Sequence, residues 1–154
     1  MAETFRFDLP VLLLHNMDPQ WTPEEITEAE EDVATLADEL KELGHPVGLV
    51  RVEDGELAGR LKSFDPRKHI VFNWCEELPG VPQSEPAAAA TLEALGFVFT
   101  GSPSHILTLS LDKPRIKSIL ERARIPTPPW AVFDKPAANG WNTFPAIVKA
   151  AHEH

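Results

Sequence analysis

A chain of 154 residues is long enough for one ordinary domain, or for one small domain and the beginning of a second. Its hydrophobic content of 43% is that of a globular protein, which sets aside intrinsic disorder. Twenty-four acids against 14 bases give a formal net charge of -10, which would repel a phosphate backbone. No Lys/Arg stripe with interleaved aromatics offsets it, and nucleic acid is set aside as a partner.

A single cysteine, Cys75, leaves no internal disulfide framework and suits a reducing compartment. The opening "MAETFRFDLPVLLLHNMD" has only a short apolar run, with an acid before it and no small-residue cleavage site. Nor does any segment reach the apolar length of a membrane span. The expectation is a soluble, cytoplasmic protein.

In chain order, "PVLLLH" (10 to 15) is a short continuous apolar run, the pattern of a strand covered on both faces of a parallel sheet. The strongest helix signal follows. Thr22 can cap, Pro23 fits the first helical position, and Glu25 completes a T-x-x-E capping box. Ile26, Ala29, Val33, Leu36, Ala37, Leu40 and Leu43 recur at helical spacing, and Gly44 supplies the stop. The acids of the opposite face, from Glu24 to Glu42, read as solvated charge.

"VGLVRV" (47 to 52) predicts a second strand, and "GELAGRLKSF" (55 to 64) a short helix weakened by Gly59. "HIVFNW" (69 to 74) predicts a third strand. After a loop holding Pro79, Gly80 and Pro82, "SEPAAAATLEALG" predicts a helix capped by Ser84 and ended by Gly96. "FVFTG" (97 to 101) completes four strand-helix alternations. The fold class expected is therefore α/β, a parallel, doubly wound, Rossmann-like unit with right-handed crossovers. Ligands in such sheets meet the carboxyl ends of the strands. That edge presents His15 to Asp18 after the first strand and Asn73 to Glu77 after the third.

Beyond Gly101 the character changes. "SPSHILTLSLDKPRIKSILERARIPTPPW" predicts one or two helices and carries the most basic stretch of the chain, with Lys113, Arg115, Lys117, Arg122 and Arg124. "PPWAVF" and "FPAIVKA" predict two further strands, separated by a polar loop with the turn signal Asn139-Gly140. Two strands and a helix cannot bury a core alone, so the last fifty residues read as an incomplete α+β segment. Its exposed strands would need cover from a partner chain or exchanged segments, and a homodimer is one way to supply it. The 15 prolines, near one residue in ten against an average of about one in twenty, cluster in loops and mark boundaries.

Few constellations carry chemistry. No Gly-rich phosphate loop is present. Lys113 and Lys149, early in the basic helix and at the end of the last predicted strand, are the candidates for holding an anion as flexible point charges; the alternative for each is a surface lysine. Cys75 has acidic neighbours, which raise a thiol's pKa and disfavour a nucleophile. His152 and His154 lie two apart with no partner cluster, so no metal site is assigned. Ser102, Ser104 and His105 do not form a triad, and helix capping accounts for the serines.

Three segments taken together resemble the ATP-grasp superfamily, specifically D-alanine-D-alanine ligase and its relatives. "VFNWCEELPGVPQSEPAAAATLEALGFVFTGS" resembles the family's "VFN" strand, loop, helix and "G(I/V)P(Y/F)TGS" strand. "LDKPRIKSILERARIPTPPWAVF" is similar to its "DK...K..L...GIPTP" passage, and "FPAIVKAAHEH" to its "FP.(V/I)VKP" strand. The resemblance implies a pre-ATP-grasp domain over residues 1 to 104 and the start of an ATP-grasp domain over residues 105 to 154. It implies that Lys113 and Lys149 match the two lysines that contact ATP phosphates. Family members use ATP and magnesium to phosphorylate a carboxylate, and an amine then attacks the acyl phosphate to form an amide.

This chain also departs from the pattern. Where D-alanine-D-alanine ligases carry a glycine-serine and Glu-His signature, it has "HNMDPQWTPEE", and their "HG..GEDG" loop is replaced by "CEELPGVPQSEP". The resemblance therefore does not extend to D-alanine specificity, and a related ligase for another amino acid or peptide fits as well. Glu76, Glu77 and Glu85 are acids near the expected cleft, as substrate-side candidates or as solvated acids. The family's lid, adenine hinge and acidic metal ligands match nothing in these residues. The expectation is the N-terminal portion of a ligase, not catalytic as this chain and holding ATP weakly. A non-catalytic α/β interaction or regulatory module is the alternative.

Overall fold

The computed structural model describes residues 8–135 and 140–152. Contacts divide the chain into two compact units, Met1–Ser104 and His105–His154.

In the first unit β1 (Val11–Asn16), β2 (Val47–Val52), β3 (Ile70–Trp74) and β4 (Val98–Phe99) form one sheet in the order β2-β1-β3-β4. Every pairing is parallel, with Val11 opposite Val47 on one side and Ile70 on the other. The helices α1 (Pro23–Glu42), α2 (Leu57–Leu61) and α3 (Glu85–Leu95) connect consecutive strands.

Strand alternation assigns the two faces. Leu12 and Leu14 of β1 pack with Val50, Val52 and Val71, with Leu57 and Leu61 of α2, and with Ala88 and Leu92 of α3. Leu13 points the other way and packs with Val33 and Ala37 of α1, and with Val47 and Phe72. Helices thus cover both faces, the doubly wound arrangement that continuous apolar strands require. β1 is an inner strand with helices over both its faces, and its residues 11 to 15 are all buried.

Local chemistry sets the helix ends. Thr22 Oγ1 accepts from Glu25 N at 3.2 Å while Glu25 Oε2 accepts from Thr22 N at 2.7 Å, closing the capping box. The Thr22 backbone N–H, and after it the Thr22 hydroxyl donating to Oε2 at 3.0 Å, hold the exposed Glu25 carboxyl below its ordinary pKa. Thr22→Ala removes one arm of the box, and a loss of about 1 kcal/mol in urea unfolding is expected; an unchanged midpoint would deny the box a role in stability. At the end of α3, Gly96 stands at φ 78°, a left-handed conformation that a side chain would strain.

The serines differ from expectation. Ser84 precedes α3, but its hydroxyl does not cap it. It accepts from Leu78 N at 2.6 Å instead, and donates back to Leu78 O, because the β3-α3 loop folds beneath it. Ser104 likewise spends both N and Oγ on Glu93 of α3, at 2.9 and 2.6 Å.

Helix α4 (Ser104–Ser110) starts on the last residue of the first unit, and the second unit contains the rest of it and α5 (Lys113–Arg122). The two strands expected beyond α5 are not formed: residues 128–133 and 144–150 lack regular structure. A strand exists only through ladder partners, and these segments find none among the described residues. Their apolar side chains stay in solvent, Ile147 at 83% and Val148 at 98% exposure. Asn139 of the predicted turn lies outside the described residues. No described helix is long and apolar enough to cross a membrane.

Candidate functional site

Two regions hold the residues singled out by sequence. The first is the carboxyl edge of the sheet between β1 and β3. Because β2 and β3 lie on opposite sides of β1, the chain reverses its direction of winding there, the switch point at which such sheets bind ligands. The loops leaving β1 and β3 are tied across it: Asn16 Oδ1 accepts from Glu76 N at 3.1 Å. Asn73 Oδ1 takes Cys75 N at 3.3 Å, and Thr100 Oγ1 takes Asn73 N at 3.0 Å, extending the lacing to β4.

The three acids of this edge have different positions. Glu76 is exposed beside the Asn16 tie. Glu77 Oε1 accepts from Gln83 N at 2.6 Å and so helps close its own loop, whose sides pair at Leu78 and Val81. Glu85 is half-buried in the first turn of α3. The opposite loop engages the backbone of Glu76. Cys75 between them is buried, and burial pushes its thiol up to about 11, with Glu76 and Glu85 adding to the shift. Such a thiol is protonated and a poor nucleophile at neutral pH.

His15 was legible only as part of this edge. It is 6% exposed, stands between Arg51 of β2 and Trp74 of β3, and its Nδ1 has no hydrogen-bond partner among the described residues. Desolvation first, then the Arg51 guanidinium, lowers its pKa below 6.5; the Asn16 backbone and Glu30 oppose this. The unfolded chain therefore binds the proton more readily. Stability from a neutral His15 is complete above about pH 6.5 and is lost as pH falls from there through the native value. His15→Leu should flatten urea stability between pH 7 and 5, and a variant that still weakens in parallel with the parent would assign the acid sensitivity elsewhere.

The second region is the N-terminal turn of α5. Asp112 caps the helix, its Oδ1 accepting from Arg115 N at 3.0 Å. Lys113 is the first helical residue, and its backbone N donates to Ala151 O at 3.0 Å. That bond brings the start of α5 beside Ala151, two positions after Lys149 in the chain. The side chains of the two candidate lysines differ. Lys149 is exposed and does not stand at a strand end, contrary to expectation. Lys113 Nζ is out of contact with water and has no hydrogen-bond partner among the described residues.

Two surface clefts lie elsewhere, one along Glu24, Thr27, Glu28 and Glu31 of α1, the other along Leu49, Arg51, Arg60 and Phe64. Neither includes a predicted site residue. Among the described residues no group of three or more His, Cys, Asp or Glu is placed to hold a metal.

The sequence is 32% identical over 121 residues to a D-alanine-D-alanine ligase of Aquifex aeolicus, and 36% identical over 95 residues to one of Moorella thermoacetica. A third, from Pseudomonas putida, is 33% identical over 124 residues. These alignments cover 77%, 62% and 78% of this chain. The chain is related to the D-alanine-D-alanine ligases of the ATP-grasp superfamily. It spans 40%, 29% and 37% of the length of those three ligases. No family model matches it, and no solved structure does. The ligase relationship coexists with a carboxyl edge built from His15, Asn16 and Glu76, where "HNMDPQWTPEE" and "CEELPGVPQSEP" depart from the family pattern.

Proposed function

We propose that this chain is the N-terminal portion of an ATP-dependent carboxylate-amine ligase, with residues 1–104 as its pre-ATP-grasp domain and residues 105–154 as the beginning of its ATP-grasp domain. The observation that carries the reading is Lys113 Nζ. A buried ammonium without a partner is costly, and the cost is relieved when an anion arrives. Polyphosphate oxygens are anions of the right kind, and Lys149, on the segment bonded to the same helical turn, adds a second, mobile cation.

In this reading Lys113 and Lys149 neutralise ATP phosphates, while the carboxyl edge at Asn16 and Glu76 forms one wall for an amino-acid or peptide substrate. ATP supplies the phosphoryl group that activates the substrate carboxylate. The described residues offer no ligand cluster for magnesium, and the carboxylates that hold it are assigned to later sequence. By itself this chain is expected neither to ligate nor to hold ATP tightly.

Extending the reading frame past codon 154 tests the proposal. A Gly-rich loop and downstream acidic metal ligands are expected, and the longer product should convert ATP to ADP only when given its carboxylate and amine substrates. A stop codon at that point, or a continuation lacking those acids, would leave the non-catalytic module as the better reading.

A further inference from the structure

The α5 helix presents Lys113, Lys117 and Glu121 at successive spacings of four, along one stripe of its surface. The latter two grip the chain that returns after the helix. Lys117 Nζ donates to Thr127 Oγ1 and, at 3.4 Å, to Pro128 O. Glu121 Oε1 accepts from Trp130 Nε1 at 2.8 Å. The return depends on a reversal in which Arg124 adopts φ 58° and Ile125 N donates to Leu120 O at 2.9 Å. Residues 127–130 have no regular structure of their own, so these side-chain bonds stand in for a ladder. At the other end of the stripe, Lys113 N is bonded to Ala151 O and Lys113 Nζ is desolvated.

We infer that Lys117 and Glu121 are positioning residues for the phosphate site: by strapping residues 127–130 along α5 they fix the surroundings in which Lys113 meets the nucleotide. Neither touches the phosphates. Lys117 is occupied by Thr127 and Pro128, and Glu121 bears the wrong charge. The inference rests on the ATP reading above and adds to it that two side chains remote from the ligand govern its approach to Lys113.

The test uses the 154-residue chain and an acyl-phosphate derivative of ATP, which transfers its acyl group to a lysine amine beside the phosphates and releases ATP. Peptide mass spectrometry locates the amide. Wild type should be labelled at Lys113, and millimolar free ATP should compete. Lys117→Met and Glu121→Ala should each cut this labelling roughly tenfold or more, as displaced reacting groups do. Lys117→Arg and Glu121→Gln keep the donor or acceptor and should retain it. The indole N–H resonance of Trp130 reports the strap without nucleotide, and should move in Glu121→Ala but not in Glu121→Gln. Labelling that ATP does not compete away in wild type would overturn the ATP reading and this inference together. Competed labelling in wild type, undiminished in both disruptive variants after the Trp130 resonance has moved, would overturn the inference alone.

Discussion

In the longer ligase proposed above, Lys113→Met is expected to lower kcat/KM for ATP by about 100-fold, the scale seen when one fixed charge-stabilising group is removed from an active site. The same change should not weaken the fold. Lys113 Nζ is buried and has no hydrogen-bond partner among the described residues, so replacing it with an uncharged side chain of similar length removes a desolvation cost, and a gain of roughly 1 kcal/mol in unfolding free energy is expected. Lower turnover with higher stability is the signature of a group held in place for a ligand. Steady-state kinetics over a range of ATP concentrations, combined with urea melts of the same preparations, measure both. A variant that melts earlier while its ATP dependence is untouched would make Lys113 a packing residue.

Leu14→Ala is expected to cost about 3 kcal/mol, within the range for a fully buried leucine in a packed core. Leu14 is 0% exposed on an inner strand, facing the layer of α2 and α3. Both sides of the cavity it leaves are held, by the sheet and by the helices, so little collapse can offset the lost contacts. For a unit of about 100 residues this lowers Tm by roughly 15 °C. Val148→Ala, at a side chain 98% exposed, should leave the midpoint within about 0.5 kcal/mol of the parent. Circular dichroism melts of the two variants side by side check the contrast; a mild effect at Leu14 would mean that the β1 core is not well packed.

The sequence made the first unit readable because its signals are local and concordant. Five buried residues in succession at 11 to 15 leave a two-faced strand as the economical solution, and Thr22, Pro23 and Glu25 specify the helix start through atoms three residues apart. Ser84 misled because a serine before a helix has two outlets for its hydroxyl, and the choice of Leu78 depends on a loop closed over six residues. The segments around Ala131 and Ile147 have the composition of strands, yet pairing is a property of neighbours, which composition does not encode.

The candidate site was partly legible in the same way. Lys113 and Lys149 could be picked out as cations in telling places, but the Lys113 N to Ala151 O bond spans nearly forty residues. The strap over α5 hangs on a left-handed Arg124, and nothing in an arginine announces that conformation. His15 illustrates the converse. A histidine closing an apolar run is visible at once, whereas the lack of a partner for its Nδ1 among the described residues becomes apparent only when Arg51 and Trp74 are set on either side.

The bond from Glu76 N to Asn16 Oδ1 bears on how such a protein can be altered. It couples residues sixty positions apart, so the loops after β1 and β3 behave as one cassette. A library that randomises residues 17–22 while holding an acceptor at 16 keeps the tie to the second loop; one that randomises 16 as well removes it. Transplanting either loop from a relative without its counterpart loses the same tie, so the two loops are to be exchanged as a pair.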